Sequence, residues 1–148
     1  MSQGNTDLVR HLGSAKRPER PVVHARPSGV DDARVSAAGK LSEALEAVEQ
    51  ARGQLYAFHQ LSGHADRLLQ HAVAALRDAG QAELAGQVEQ VLVGRDVVRD
   101  MWTFEIVEAY DEQYWSTFRV VEEHVRKALT AGRPHVFEAE MKFEEQQG

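Results

Sequence analysis

Apolar residues recur along most of this chain at three- and four-residue steps, the signature of helices that bury one face. Leu41, Leu45, Val48, Leu55 and Phe58 share such a face, with Ala44 and Ala51 filling it. The pattern predicts a first helix over about 36–61, opened by the N-cap candidate Ser36 and closed by Ser62-Gly63. Gly53 inside it costs roughly 1 kcal/mol relative to alanine and offers room for close approach of a second helix. A second helix is predicted over about 64–79, with Ala65, Leu68, Leu69, Ala72, Val73 and Leu76 as its apolar face and Gly80 as its stop. A third covers about 81–93, with Leu84, Ala85, Val88, Val91 and Leu92 inward.

From Asp96 to Ala131 no proline or glycine occurs, and Gly132-Arg133-Pro134 ends the run. Met101, Phe104, Val107, Asp111, Tyr114, Phe118, Val121, Val125 and Ala128 form a heptad-like seam along it, apolar or aromatic at every position but Asp111. One helix of this length would reach roughly 50 Å. It must break near Tyr110-Asp111-Glu112-Gln113 or pair with another chain, and pairing is the expectation. After it, Phe137, Ala139, Met141 and Phe143 alternate with charged residues in the manner of a strand. The residues are helix formers and no second strand exists to pair with them, so a short helix is predicted.

Residues 1–34 break the pattern. Pro18, Pro21 and Pro27 lie there with Gly4, Gly13 and Gly29, and large apolar residues are few apart from Leu8-Val9, Leu12 and Val22-Val23. Such a segment buries too little surface to offset its ordering entropy. The expected organisation is a disordered leader over 1–34, able to recruit a protein partner, and an all-α helical bundle of about four main helices over 35–148 with a short C-terminal element.

Charge adds a restriction on partners. The chain is −6 overall, yet the leader holds six Lys/Arg against four acids, leaving a body near −8. An acidic body repels phosphate backbones, so nucleic acid is not an expected partner. The absence of cysteine removes disulfides, thiolate metal sites and cysteine nucleophiles. The first residues lack the order of a secretory signal, and no stretch approaches the roughly 20 apolar residues of a membrane helix. A cytoplasmic protein without a membrane span is expected.

Chemistry is sparse. No Gly-x-Ser-x-Gly elbow, phosphate-cradling loop or dinucleotide fingerprint occurs. Glu105, Glu108 and Glu112 line one helix face, and His64, His71 and His124 are the histidines that could join them around a metal. No Glu-x-x-His is present, and His64 and His71 are separated by roughly 10 Å of helical rise. The aromatic content of the fourth helix is the stronger signal: Trp102, Phe104, Tyr110, Tyr114, Trp115 and Phe118 fall close together, with Asp111 among them. Asp111 reads either as a polar residue fixing register, paired with a tyrosine or an arginine of another helix, or as an exposed group at a helix break. The function expected from these features is a non-enzymatic helical module without cofactor, dimerising through these seven residues. The alternative is a bundle binding a metal or small ligand through the Glu and His side chains.

Overall fold

A computed structural model describes residues 10–16 and 22–148. The parts of the expected leader at 1–9 and 17–21, including Leu8-Val9, Arg17 and Arg20, lie outside the described residues. The principal elements are α1 (Asp32–Asp78), α2 (Ala82–Leu92), α3 (Thr103–Tyr110), a π-helical segment (Asp111–Trp115), α4 (Ser116–Thr130) and α5 (Val136–Gln147), with a 3-10 turn at Val22–His24. The fold is all-α: among the described residues the only extended pairing is an isolated bridge between Val98 and Met101. Among them, too, no helix is long and apolar enough to cross a membrane.

The first two predicted helices are one helix of 47 residues. Ser62-Gly63 does not end it: the Ser62 hydroxyl donates to the Phe58 carbonyl (2.8 Å) and so is satisfied inside the helix. A single glycine costs too little to stop a helix whose neighbours favour it. The buried seam also runs through this point without a gap. Val48, Arg52, Leu55, His59, Ser62, Asp66, Leu69, Val73 and Leu76 are all buried or half-buried, at unbroken three- and four-residue steps. Four of these residues are polar, so a search for apolar periodicity does not see the continuity.

Internal contacts divide the chain into two units, one of residues 1–45 and 119–148, the other of residues 46–118. In the first unit Val35, Ala38 and Val136 form the apolar core. Glu122, only 6% exposed, is compensated by the Ser42 hydroxyl at 3.0 Å and the Arg126 guanidinium at 3.1 Å. Part of the segment expected to be leader is engaged here. Arg26 donates to both oxygens of Glu140 (3.0 and 2.9 Å), His24 Nδ1 donates to the Pro134 carbonyl (2.8 Å), and α1 begins at Asp32. Arg133 in turn donates to the Ala25 carbonyl (2.8 Å). Described contacts thus reach into the segment expected to be leader, where charged hydrogen bonds accompany little apolar burial. The C-terminal segment is helical, as expected.

Glycine positions give a direct test of this packing. A Cβ on Gly39 would lie 3.3 Å from Phe137 Cβ. Gly39→Val should lower stability by about 1–3 kcal/mol. Gly53 and Gly86 face open space within the chain, so Gly53→Ala and Gly86→Ala should each raise it by up to ~1 kcal/mol in thermal melts.

In the second unit, Gly80 (φ +78°) closes α1 in the expected manner, with Gly80 N–H donating to the Arg77 carbonyl and Gln81 N–H to that of Leu76. The fourth helix begins at Thr103, not near Asp96. Glu105 accepts the Trp102 backbone N–H at 2.8 Å, which defines that start. Val48, Val73, Ala85 and Val107 are the buried apolar residues of this unit.

Candidate interaction surface

Within the second unit α1 runs antiparallel to α3 and the π-helical segment after it, joined by polar rungs. His59 Nδ1 meets the Thr103 hydroxyl at 2.6 Å, Arg52 binds both oxygens of Asp111 at 2.6 and 3.0 Å, and the Trp115 indole N–H donates to Glu49 at 2.9 Å. The Arg52 guanidinium also lies 4.1 Å from the Trp115 ring centroid and 5.1 Å from that of Tyr56. These hydrogen bonds from Arg52 hold the Asp111 carboxyl below the ordinary aspartate range, against partial desolvation. Asp111 is thus paired with an arginine of another helix, one of the two alternatives its position in the seam suggested.

The π-helical segment accounts for the rest of that face. The helix does not break at Tyr110–Gln113; the Ser116 N–H reaches back to the Asp111 carbonyl, five residues earlier. The wide turn displaces the inward position by one residue. Thr103, Val107, Asp111 and Trp115 face α1, and Tyr114, which an unbroken heptad would point inward, is 51% exposed. Tyr110, Tyr114 and Phe118 form a ladder with centroids 5.6 and 5.9 Å apart.

The seven residues expected at an interface therefore separate into two groups. Trp102, Phe104 and Tyr114 are exposed. Tyr110, Asp111, Trp115 and Phe118 are half-buried, and Asp111 and Trp115 are bonded to α1. Of the candidate metal ligands, Glu105, Glu108, Glu112, His64, His71 and His124 are all exposed. Among the described residues none of the six belongs to a close cluster of three potential ligand groups, and Glu105 is occupied in capping α3.

The surface the sequence reading did not isolate lies on α1. Phe58, Leu61, Ala65, Leu68, Ala72 and Ala75 make a second three- and four-residue seam beside the buried one, and every member is exposed. Leu61 and Leu68 are 64% and 52% exposed. Between Arg52 and Arg77 the helix carries only the charges of Asp66, which faces inward, and Arg67. In a chain that is 27% charged, this stretch is poor in charge, a feature that interface cores share. That depletion of charge was the legible signal.

A groove completes the unit's surface. It is lined by Ser62, Gly63 and Asp66 of α1, by Gly94, Arg95, Asp96 and Val97 of the connection after α2, and by Met101, Trp102, Thr103 and Phe104. Compared with known proteins, the chain matches no family model, no curated protein and no solved structure.

Proposed function

We propose that the protein is a non-enzymatic helical interaction module that pairs with a second copy of itself through the exposed seam of α1. The observation that carries this reading is the row Phe58, Leu61, Ala65, Leu68, Ala72 and Ala75, apolar at coiled-coil spacing and open to solvent. A second copy suits it on two grounds. The row combines three large residues (Phe58, Leu61, Leu68) with three alanines (Ala65, Ala72, Ala75), so large residues of one copy can lie over small ones of the other at close range. The scarcity of charge along the row lets two chains of net charge −6 meet where their repulsion is weakest. A two-fold axis across the seam satisfies both copies at once.

Sedimentation velocity on the full chain tests the proposal. Wild type should sediment as a dimer, and Leu61→Glu with Leu68→Glu as a monomer whose circular dichroism is unchanged. Tyr114→Asp should leave the dimer intact on this reading. A monomeric wild type, or a dimer that survives both glutamates, would overturn the proposal. Loss of the dimer in Tyr114→Asp alone would move the contact to the aromatic ladder.

A further inference from the structure

The groove has the chemistry of a receptor for one flat cation, and we propose that it binds the guanidinium of an arginine side chain presented by a partner protein. Its aromatic wall is the Trp102–Phe104 pair, with ring centroids 5.3 Å apart and planes inclined at 57°. Trp102 is 62% exposed, which leaves room for a ligand to stack on its ring. Gly63 and Gly94 lie in the lining and carry no side chains to fill it, and Gly94 holds a φ of +71° that other residues rarely adopt. The space amounts to about 240 Å³, which is below the usual range for drug-sized ligands of ~300–1,000 Å³ and suits a single long side chain.

The charge in the groove is negative. Asp66 accepts hydrogen bonds from the Gly94 backbone N–H (3.0 Å) and from the Gln70 amide (3.0 Å). Those bonds keep its carboxylate ionised and in place, and a carboxylate has acceptor capacity beyond two bonds. Asp96 adds a second acid to the lining. Arg95, also in the lining, donates to the Val91 carbonyl of α2 at 3.4 Å, and Arg67 Nη1 lies beside Gly63, 3.8 Å from where a Cβ would stand. A guanidinium fits this combination better than an ammonium, since it is planar, stacks on aromatic faces and is weakly hydrated. An anionic ligand would meet two carboxylates against one lining guanidinium.

The test uses the two tryptophans of the full-length, ¹⁵N-labelled chain. Acetyl-Gly-Arg-Gly-amide is titrated while both indole N–H signals are followed by NMR, with Trp102→Phe supplying the assignment. The Trp102 signal should move saturably and the Trp115 signal, tied to Glu49, should stay still. The citrulline peptide, neutral and nearly isosteric, should bind about tenfold more weakly or worse, the loss of one charge-assisted contact. Asp66→Asn, whose amide oxygen can still accept from Gly94, should weaken the arginine peptide similarly without unfolding the unit. No saturable movement of Trp102, or equal binding of the arginine and citrulline peptides, would overturn the proposal. Equal binding of the lysine peptide would overturn the assignment to a guanidinium.

Discussion

Val107→Asp should abolish the cooperative unfolding of residues 46–118. Val107 is 5% exposed and one of four buried apolar residues in that unit, with Val48, Val73 and Ala85. A carboxylate at that point loses its water and gains no partner, a change worth several kcal/mol. Small folded units are stable by only about 5–15 kcal/mol in total, and a core this thin has little reserve. The expected result is loss of amide protection across α2, α3 and the adjoining part of α1. Val107→Ala should cost about 2 kcal/mol and retain a cooperative transition. Val121 shares the sequence seam with Val107 but is 50% exposed, so Val121→Asp should change stability by less than ~0.5 kcal/mol. Equal melting of Val107→Asp and Val121→Asp would mean that the inward face has been misassigned.

The second large effect is expected at the Arg52–Asp111 rung. Arg52→Asp sets two carboxylates against each other and strips Trp115 of the cation on its ring. It should lower the melting temperature more than Arg52→Gln does. Adding Asp111→Arg should recover much of the loss, because the pair is then restored with its direction reversed. Failure of the double variant to exceed both single variants would show that the pair does not couple α1 to the π-helical segment.

The same pair sets a pH dependence. The Asp111 carboxyl is depressed in the folded chain, chiefly by the hydrogen bonds from Arg52. Its contribution to stability is therefore complete above the unfolded value of about 3.9 and is lost as pH falls through the lower folded value. Asp66 and Glu123 are depressed too, by the Gly94 N–H and by Lys127 respectively, and act in the same direction. Melting temperatures measured from pH 5 downward should fall. Asp111→Asn should remove part of that slope, and an unchanged slope would contradict the assignment.

The helical class and several boundaries could be read from local chemistry alone. Gly80 ends α1, Gly132-Arg133-Pro134 follows the end of α4, and the residues after Pro134 form a helix despite their strand-like alternation. These outcomes depend on neighbours a few positions away, through backbone conformation and helix propensity. Charge depletion along α1 was equally local, although its meaning required knowing which face was already covered.

Tertiary contacts decided the rest. Ser62-Gly63 has the composition of a helix end, yet the half-buried seam continues through Ser62 and Asp66, part of it held by contacts from outside the helix. Asp66, for instance, receives the Gly94 N–H. Asp111 could have been a helix break or a paired carboxylate, and Arg52, 59 positions away, made it the latter. The π-helical turn then brought Trp115 against Arg52 and left Tyr114 outside. No periodicity count anticipates that shift, since an inserted residue alters which side faces inward without altering the residues themselves. Local preferences select helices one turn at a time, whereas the choice of buried face is made jointly by two segments distant in the chain.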